Sequence, residues 1–164
     1  MLSKKLIKKI AVVFETRQRQ LFVAALAITR ERASAEDAVQ DALLSTAALN
    51  VAPAELENYL FRTVRNKALH SVKRDRRIDR NVDPADFLDV ADSSQEQRTF
   101  AAGVMTCLGE LDENPRQVIV MKLFADFTFD DIAKIMDSSP NTVASWYRRG
   151  LRKMKEQMNE IHAI

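Results

Sequence analysis

The sequence predicts an all-α protein of two small helical domains joined by an acidic linker, with a helix-turn-helix in the second domain. The 164 residues include only 3 Gly and 4 Pro, and 46% of them are hydrophobic, which favours helices around sizeable cores. Apolar residues recur at helical spacing on both sides of an acidic stretch that lacks this periodicity. We place the two domains at residues 1–78 and 100–164 and the linker at residues 79–99.

Three helices are expected in the first domain. The apolar periodicity predicts one bent or broken helix over residues 3–30 and a second helix that opens at Ser34 and ends near Ala48. Pro53 then starts a third helix that runs to about Arg77. This helix is basic at its C-terminal end, as the helix dipole prefers. Its apolar stripe consists of Leu56, Leu60, Val64 and Ala68.

The second domain is expected to end in a helix-turn-helix. One helix runs through Phe100, and another starts at Pro115. Thr128 and Asp131 then look like a capping box that opens a short helix, and Ser139 caps a longer one after a tight link. The buried stripe of the longer helix is Val143, Tyr147, Leu151 and Met154, and its cationic outer face is Ser145, Arg148, Arg149 and Arg152. This arrangement suits insertion into a DNA major groove, with an ordinary basic surface helix as the alternative.

The charges are unevenly distributed, although the net charge is only +2. Residues 62–80 carry eight Lys or Arg and two Asp, and residues 148–155 carry five basic residues and no acidic one. Between them, residues 83–96 carry five acidic residues and no basic one. Two cationic patches separated by an acidic segment indicate two contacts with a polyanion.

One face of the third helix combines cations, an amide and an imidazole. Arg62, Asn66, His70, Lys73 and Arg77 cluster there, a set that suits phosphates and exposed or unstacked bases. Tyr59 lies near this face, where its ring could stack on a base. The alternative interpretation is a solvated basic helix end.

A face of the second helix suggests a protein-binding surface. Asp37, Gln40 and Asp41 surround Leu44, so an apolar side chain lies within an acidic and amide surface. A lone exposed leucine is the alternative, since such residues are common.

Several classes of site are not indicated. Cys107 is the single cysteine, which excludes an internal disulfide, and we expect it to be a small core residue. His70 and His162 lack partners at metal-binding spacing, and no phosphate-binding glycine motif is present. We therefore expect no catalytic residue, no metal and no cofactor. The basic N-terminus does not resemble a signal peptide, and a core-packed first helix is favoured over a membrane-surface helix, so a cytoplasmic location is expected without membrane insertion.

The motifs together resemble extracytoplasmic-function sigma factors of bacterial RNA polymerase. AEDAVQDALL at residues 35–44 and ENYLFRTVRNKALHSVKRDRR at residues 57–77 resemble sigma region 2. LDENPRQVIVMKLFADFTFDDIAKIMDSSPNTVASWYRRGLRKMK at residues 111–155 resembles sigma region 4. The resemblance implies a non-enzymatic subunit that binds the β′ clamp and β flap of core polymerase and the −10 and −35 elements of promoter DNA. It also implies an anti-sigma factor as a further partner.

The resemblance gives each predicted face a role. Core polymerase would bind Asp37, Gln40, Asp41 and Leu44. The opened −10 element would bind Tyr59, Arg62, Asn66, His70, Lys73 and Arg77. The −35 element would bind Asn141, Thr142, Ser145, Trp146, Arg148, Arg149 and Arg152. Within that last set, Asn141, Thr142 and Ser145 would contact base edges, the three arginines would mostly contact phosphates, and Trp146 would be half buried in the core.

The sequence also departs from the family pattern. Tyr59 stands where Trp is usual, Asp137 stands where Gly is usual, and Ala144 and Trp146 stand where Lys or Arg is frequent. Two other functions remain open at this point, a stand-alone helix-turn-helix regulator and a protein-only interaction module. Neither explains both cationic patches together with the surface around Leu44.

Overall fold

The computed structural model describes residues 3–74 and 94–162, and within these ranges the chain forms α-helices and no strand. The prediction of an all-α protein is therefore confirmed for the described residues. Most of the predicted linker, together with Arg77, lies outside them. The helices are α1 (Lys4–Thr29), α2 (Arg32–Ala47), α3 (Leu56–Arg74), α4 (Gln95–Glu110), α5 (Glu113–Phe124), α6 (Phe129–Met136) and α7 (Pro140–His162).

The first helix bends, as its sequence predicts. Its N-cap is Ser3, whose Oγ accepts a hydrogen bond from the Leu6 amide at 3.3 Å. The backbone leaves helical geometry at Arg17, with φ −125° and ψ 16°, so the turns before and after this residue are two segments of one helix. The second segment packs against α2 and α3 to form a three-helix bundle. Its buried core includes Leu21, Leu26 and Leu60.

Two predicted helix starts are wrong by a few residues. The hydrogen-bond ladder of α2 already begins at the Glu31 carbonyl, which accepts from the Ala35 amide at 3.0 Å, so Ser34 lies inside the helix. In α3, the first carbonyl acceptor is that of Glu55, so the helix begins at Leu56 and not at Pro53. The helix α4 begins at Gln95, inside the segment predicted as linker.

The helix-turn-helix is confirmed in detail. Thr128 Oγ1 accepts from the Asp131 amide at 3.1 Å, and Ser139 Oγ accepts from the Thr142 amide at 3.1 Å, so both predicted caps form. Between the two helices, Asp137 adopts a left-handed conformation with φ 53°. Aspartate tolerates this conformation better than most residues, although glycine adopts it at lower cost.

One residue of the predicted buried stripe of α7 is exposed. Val143 is fully buried, but Leu151 retains 38% of its accessible surface. The backbone of α7 approaches α5 at Gly150, where an added Cβ would lie 2.5 Å from Ile119 Cδ1. The buried face is therefore centred on Val143 and Gly150, and Leu151 is turned about 100° away from Gly150.

The two halves of the chain pack against each other. The helix α1 contacts α5, and α3 contacts α6, so buried residues of both halves belong to one hydrophobic core. The rings of Phe61 and Phe127 meet edge to face, with their centroids 4.5 Å apart. The sequence predicted two tethered bundles and contained no indication of this contact.

Candidate nucleic-acid and protein interfaces

The predicted −10 face of α3 is exposed. Arg62, Asn66, His70 and Lys73 are solvent-accessible, and Tyr59 retains 36% of its surface. Their spacing of three or four residues places them on one side of the helix. The opposite side carries the buried residues Leu60, Phe61, Val64 and Ala68. The structure therefore brings together five of the six predicted side chains, and the sixth, that of Arg77, lies outside the described residues.

The second half of the chain reaches the edge of this face. Arg62 Nη2 lies 3.8 Å from Asp137 Oδ2, on the turn between the two helices of the helix-turn-helix. One turn further along α3, Arg65 Nε donates to Gln117 Oε1 at 2.7 Å. Burial lowers the pKa of the Arg65 guanidinium, and the nearby charge of Arg62 adds to this effect, against the opposing effect of Glu113. Gln117 is 2% exposed, so this polar pair lies inside the contact between the halves.

The predicted −35 face occupies the start and the outer side of α7. Asn141, Arg148, Arg149 and Arg152 are exposed, whereas Thr142 and Ser145 are half-buried. The Thr142 hydroxyl accepts a hydrogen bond from Ser139 Oγ at 2.8 Å, so it also takes part in the cap. The half-buried Trp146 packs against the core, as predicted.

The surroundings of α7 differ from those of α3. It packs mainly on α4, α5 and α6, all of which belong to the second half of the chain. Lys153 Nζ donates to the Glu110 carbonyl at 2.8 Å and so ties α7 to α4. Contacts within the second half of the chain therefore position the cationic side of α7.

The surface predicted to bind polymerase lies on α2. Asp37, Gln40 and Asp41 are exposed, and Leu44 retains 70% of its surface. The opposite side of α2 is buried in the bundle, so these four side chains share the outward face. An open groove of about 810 Å³ between α1 and α2 adjoins this face, and Gln40 is one of its lining residues. Apolar side chains in the groove come from Phe14, Phe22 and Val39.

The sequence did not single out the arginine that joins the two halves. The guanidinium of Arg17 lies over the rings of Phe61 and Phe127, 5.6 and 5.0 Å from their centroids. Its Nη2 donates to the Ala125 carbonyl at 2.6 Å, and its Nε lies 2.8 Å from Glu57 Oε1. In the sequence Arg17 is one of several charged residues in an amphipathic stretch, so no local pattern marks it.

Other polar contacts also cross between the halves. Asn58 Nδ2 donates to Asp131 Oδ1 at 3.2 Å. Lys134 Nζ donates to Glu55 Oε1 at 2.8 Å, and this hydrogen bond raises the pKa of the lysine. The contact is therefore a mixture of apolar packing and polar pairs, which is typical of interfaces between domains of one chain.

Cys107 is buried, as expected, and this burial, with a smaller contribution from Glu110, raises the pKa of its thiol.

Among residues 3–74 and 94–162, no three His, Cys, Asp or Glu side chains come together as a metal site would require. In the same ranges, no helix combines the length and the apolar character that crossing a membrane needs.

Comparisons with known proteins identify the family. Residues 13–78 match the family model for Sigma-70 region 2, and residues 102–154 match the model for Sigma-70, region 4. No curated protein is similar enough in sequence to count as a match.

Two solved structures share the fold. CnrH, in complex with the cytosolic domain of CnrY, has 20% identity and a TM-score of 0.69, over 93% of this chain and 89% of that one. The sigma factor RpoE of Bartonella quintana, in complex with the anti-sigma factor NepR, has 20% identity and a TM-score of 0.66, over 96% and 98%. With both family regions present and in order along one helical fold, the chain belongs to the sigma-70 family and is a sigma factor.

Proposed function

We propose that the protein is an extracytoplasmic-function sigma factor that binds core RNA polymerase in the cytoplasm and directs initiation at promoters with specific −10 and −35 elements. The observation that carries the proposal is the pair of exposed cationic faces, one on α3 within region 2 and one on α7 within region 4. The sigma factor performs no chemistry of its own and supplies sequence recognition to the polymerase.

Core polymerase binds the outward face of α2. Leu44 is an apolar anchor surrounded by Asp37, Gln40 and Asp41, and such an anchor with a polar rim is the usual composition of a protein interface. The adjoining groove beside Gln40 offers apolar surface to the β′ clamp. Region 4 makes the second contact, with the β flap.

The opened −10 element lies along α3. The ring of Tyr59 stacks on an unpaired base, and Asn66 hydrogen-bonds a base edge, contacts that are each worth about 1–3 kcal/mol. Arg62, His70 and Lys73 follow on the same face and bind the backbone of the strand. Arg77 belongs to this set by its sequence position alone, since it lies outside the described residues.

The −35 element is bound by α7. Asn141, Thr142 and Ser145 lie at the N-terminal end of the helix, the part that reaches base edges in helix-turn-helix proteins. Arg148, Arg149 and Arg152 lie further along and bind phosphates. Trp146 supports this helix from the core side and contacts a thymine methyl group at its exposed edge.

The packed arrangement of the two halves has to open when both elements are bound. The −10 and −35 elements lie about 25 base pairs apart, which is roughly 85 Å of straight duplex. A packed body of this length has a radius of gyration of about 15 Å and a diameter of about 40 Å, so it cannot contact both elements at once. Separation takes place at the linker, because a chain of about 19 residues, such as 75–93, reaches roughly 65 Å when extended. This supports a division of the chain into two domains, whose exact bounds stay a proposal.

A second protein controls this opening. The RpoE structure contains an anti-sigma factor, which supports the proposal that this chain also has a partner of that kind. Such a partner would act by binding the packed form better than the opened form.

Run-off transcription with purified core polymerase tests the proposal. We expect promoter-dependent transcripts only when the protein is added, and their loss when either promoter element is scrambled. A stand-alone helix-turn-helix regulator would bind the DNA without core polymerase and would not make the polymerase initiate. That result would contradict the proposal and favour the regulator.

Two variants assign the roles of individual residues, with binding to core polymerase and promoter opening measured for each. Leu44→Arg should weaken binding to core polymerase roughly tenfold or more, the size of one interface hot spot. Val51→Arg, at a side chain that is 80% exposed but lies outside this face, is the matched control and should bind core polymerase normally. Asn66→Ala should leave binding to core polymerase intact and reduce promoter opening. Unchanged promoter opening would show that Asn66 does not bind the −10 element.

A further inference from the structure

One cation of α3 contacts the second half of the chain and is not part of the predicted −10 face. Arg65 lies three residues after Arg62 and one before Asn66, so it points about 60° around the helix axis from Arg62. It is half-buried, and its Nε donates to Gln117 Oε1 at 2.7 Å. Arg65 therefore borders the exposed face and reaches into the contact between the halves.

Two carboxylates that favour the charge of Arg65 belong to the second half. Burial has the largest effect and lowers the pKa of the Arg65 guanidinium. Glu113 raises this pKa, Arg62 lowers it, and Asp137 raises it. Glu113 lies on α5 and Asp137 on the turn after α6, whereas Arg62 lies on α3 itself. Separation of the halves thus removes both carboxylates and Gln117, and leaves Arg65 beside a like charge.

The contact between the halves gains little from a charge at this position. Gln117 is 2% exposed, and its Nε2 has no hydrogen-bond partner among the residues that the structure describes. The small cavity beside the pair is lined by apolar side chains, including those of Ile28, Phe61 and Met121. Burying a guanidinium carries a desolvation cost, and well-packed apolar residues of similar size often stabilise such a site more. The packed form alone therefore does not explain the charge of Arg65.

We propose that Arg65 is a further −10 residue, whose guanidinium leaves Gln117 when the halves separate and binds a phosphate of the opened strand. This inference rests on the proposed function of α3, because a strand that lies along Arg62 and Asn66 passes within reach of the adjacent Arg65. The freed guanidinium has lost its acceptor and lies beside the charge of Arg62. A phosphate supplies both an acceptor and an opposite charge, and such a contact adds affinity without sequence preference.

The same side chain then sets packing of the halves against DNA binding. In the packed form the guanidinium of Arg65 binds Gln117, and in the promoter complex it binds a phosphate. Because it cannot do both at once, each contact weakens the other, and this linkage is reciprocal. A partner protein that favours the packed form would therefore also remove Arg65 from the DNA.

The test measures binding of holoenzyme to a fluorescent promoter fragment whose −10 element is single-stranded, at salt concentrations between about 50 and 200 mM. Arg65→Gln removes the charge but keeps an amide that can hydrogen-bond Gln117. If this variant loses one phosphate contact, its salt slope should fall by about 0.7–0.9. The affinity advantage of the wild type should then shrink about threefold across that range. Arg65→Lys keeps the charge and should retain the wild-type slope.

Gln117→Leu is the matched control, because it removes the partner of Arg65 in the packed form without removing the cation. If Arg65 acted only through the packing of the halves, both variants would change promoter binding alike. We expect Gln117→Leu to retain the wild-type salt slope. Each variant should bind core polymerase normally, and thermal unfolding shows whether its fold is kept. Arg65→Met, whose apolar side chain suits the surroundings of this site, is a second variant without the charge and should show the same lower slope.

Three results would overturn the proposal. The first is an unchanged salt slope in Arg65→Gln and Arg65→Met while the wild-type holoenzyme binds the fragment. The second is an equal fall of the slope in Gln117→Leu, and the third is a fall in Arg65→Lys as large as that in Arg65→Gln. If the wild-type holoenzyme itself does not bind the fragment, the proposed function fails, and this inference fails with it.

Discussion

The helices α3 and α7 both present cationic faces to solvent, but they differ in what else contacts them. The helix α3 packs on α1 and α2 of its own half and on α6 of the other half, and its Arg62 and Arg65 lie beside Asp137 and Gln117. The helix α7 packs mainly within the second half. The predicted −10 face is thus coupled to the packing of the two halves, whereas the predicted −35 face does not depend on it.

We expect this difference to affect DNA binding by the free protein. A strand that occupies the α3 face has to compete with the helix-turn-helix turn at Asp137, while DNA can approach α7 without moving the first half. We therefore expect region 4 to be available before region 2.

The largest effect is expected at the ring pair that joins the halves. Phe61 is 1% exposed and contacts Phe127 edge to face, so Phe61→Ala removes a large buried side chain from the shared core. The free energy of unfolding should fall by about 3–5 kcal/mol. Phe100→Ala is the matched control, since Phe100 is 59% exposed and should lose less than about 1 kcal/mol. Urea unfolding of both variants measures the difference, and equal losses would mean that the ring pair does not hold the halves together.

Effects of intermediate size are expected on α7. Asn141→Ala or Ser145→Ala should change which −35 sequences are preferred, by about 1–3 kcal/mol for the affected base pair. Arg149→Ala should weaken all sequences alike and lower the salt slope by about one. Competition over a randomised −35 library at two salt concentrations distinguishes the two classes. The roles are reversed if Arg149→Ala alters the preference while the Asn141 and Ser145 variants keep it.

The smallest effect is expected at the ion pair beside the −10 face. The side chains of Arg62 and Asp137 are 48% and 83% exposed and their charged atoms are 3.8 Å apart, so the pair is screened by solvent. Asp137→Asn retains a residue that tolerates the left-handed conformation and should change the free energy of unfolding by less than about 1 kcal/mol. A loss of several kcal/mol in a urea titration would show that this pair, and not the apolar contact, closes the two halves.

Much of the fold follows from local pattern in the sequence. The caps at Thr128 and Ser139, the buried Val143 and the bend in the first helix were all predicted, because each depends on residues within a few positions of one another. The starts of α2 and α3 were placed wrongly because the first carbonyl acceptors belong to Glu31 and Glu55, which no capping pattern marks. The exposure of Leu151 depends on the close approach of Gly150 to Ile119, a tertiary contact that periodicity does not contain.

The predicted faces were placed correctly on their helices, but their surroundings were not predicted. The sequence shows that Arg62 and Asn66 share a helix face, since this follows from spacing alone. It does not show that the Arg17 guanidinium lies over the rings of Phe61 and Phe127, since these residues are far apart in the chain and meet only through the packing of α1 and α3 on the second half. The assignment of individual side chains to promoter elements stays a prediction.

The two halves are packed together in the free protein, and we expect them to separate when the promoter is bound. This can be tested with distance measurements between spin labels or fluorophores at Ser45→Cys on α2 and Glu156→Cys on α7, both of which are exposed. The native Cys107 is buried and its thiol pKa is raised, so labelling should spare it.

The label-to-label distance is measured in the free protein and in the holoenzyme bound to a promoter with both elements. A packed body of about 40 Å cannot span elements about 85 Å apart, so we predict one short distance in the free protein and an increase of about 30 Å or more in the complex. An unchanged distance in the promoter complex would contradict the account.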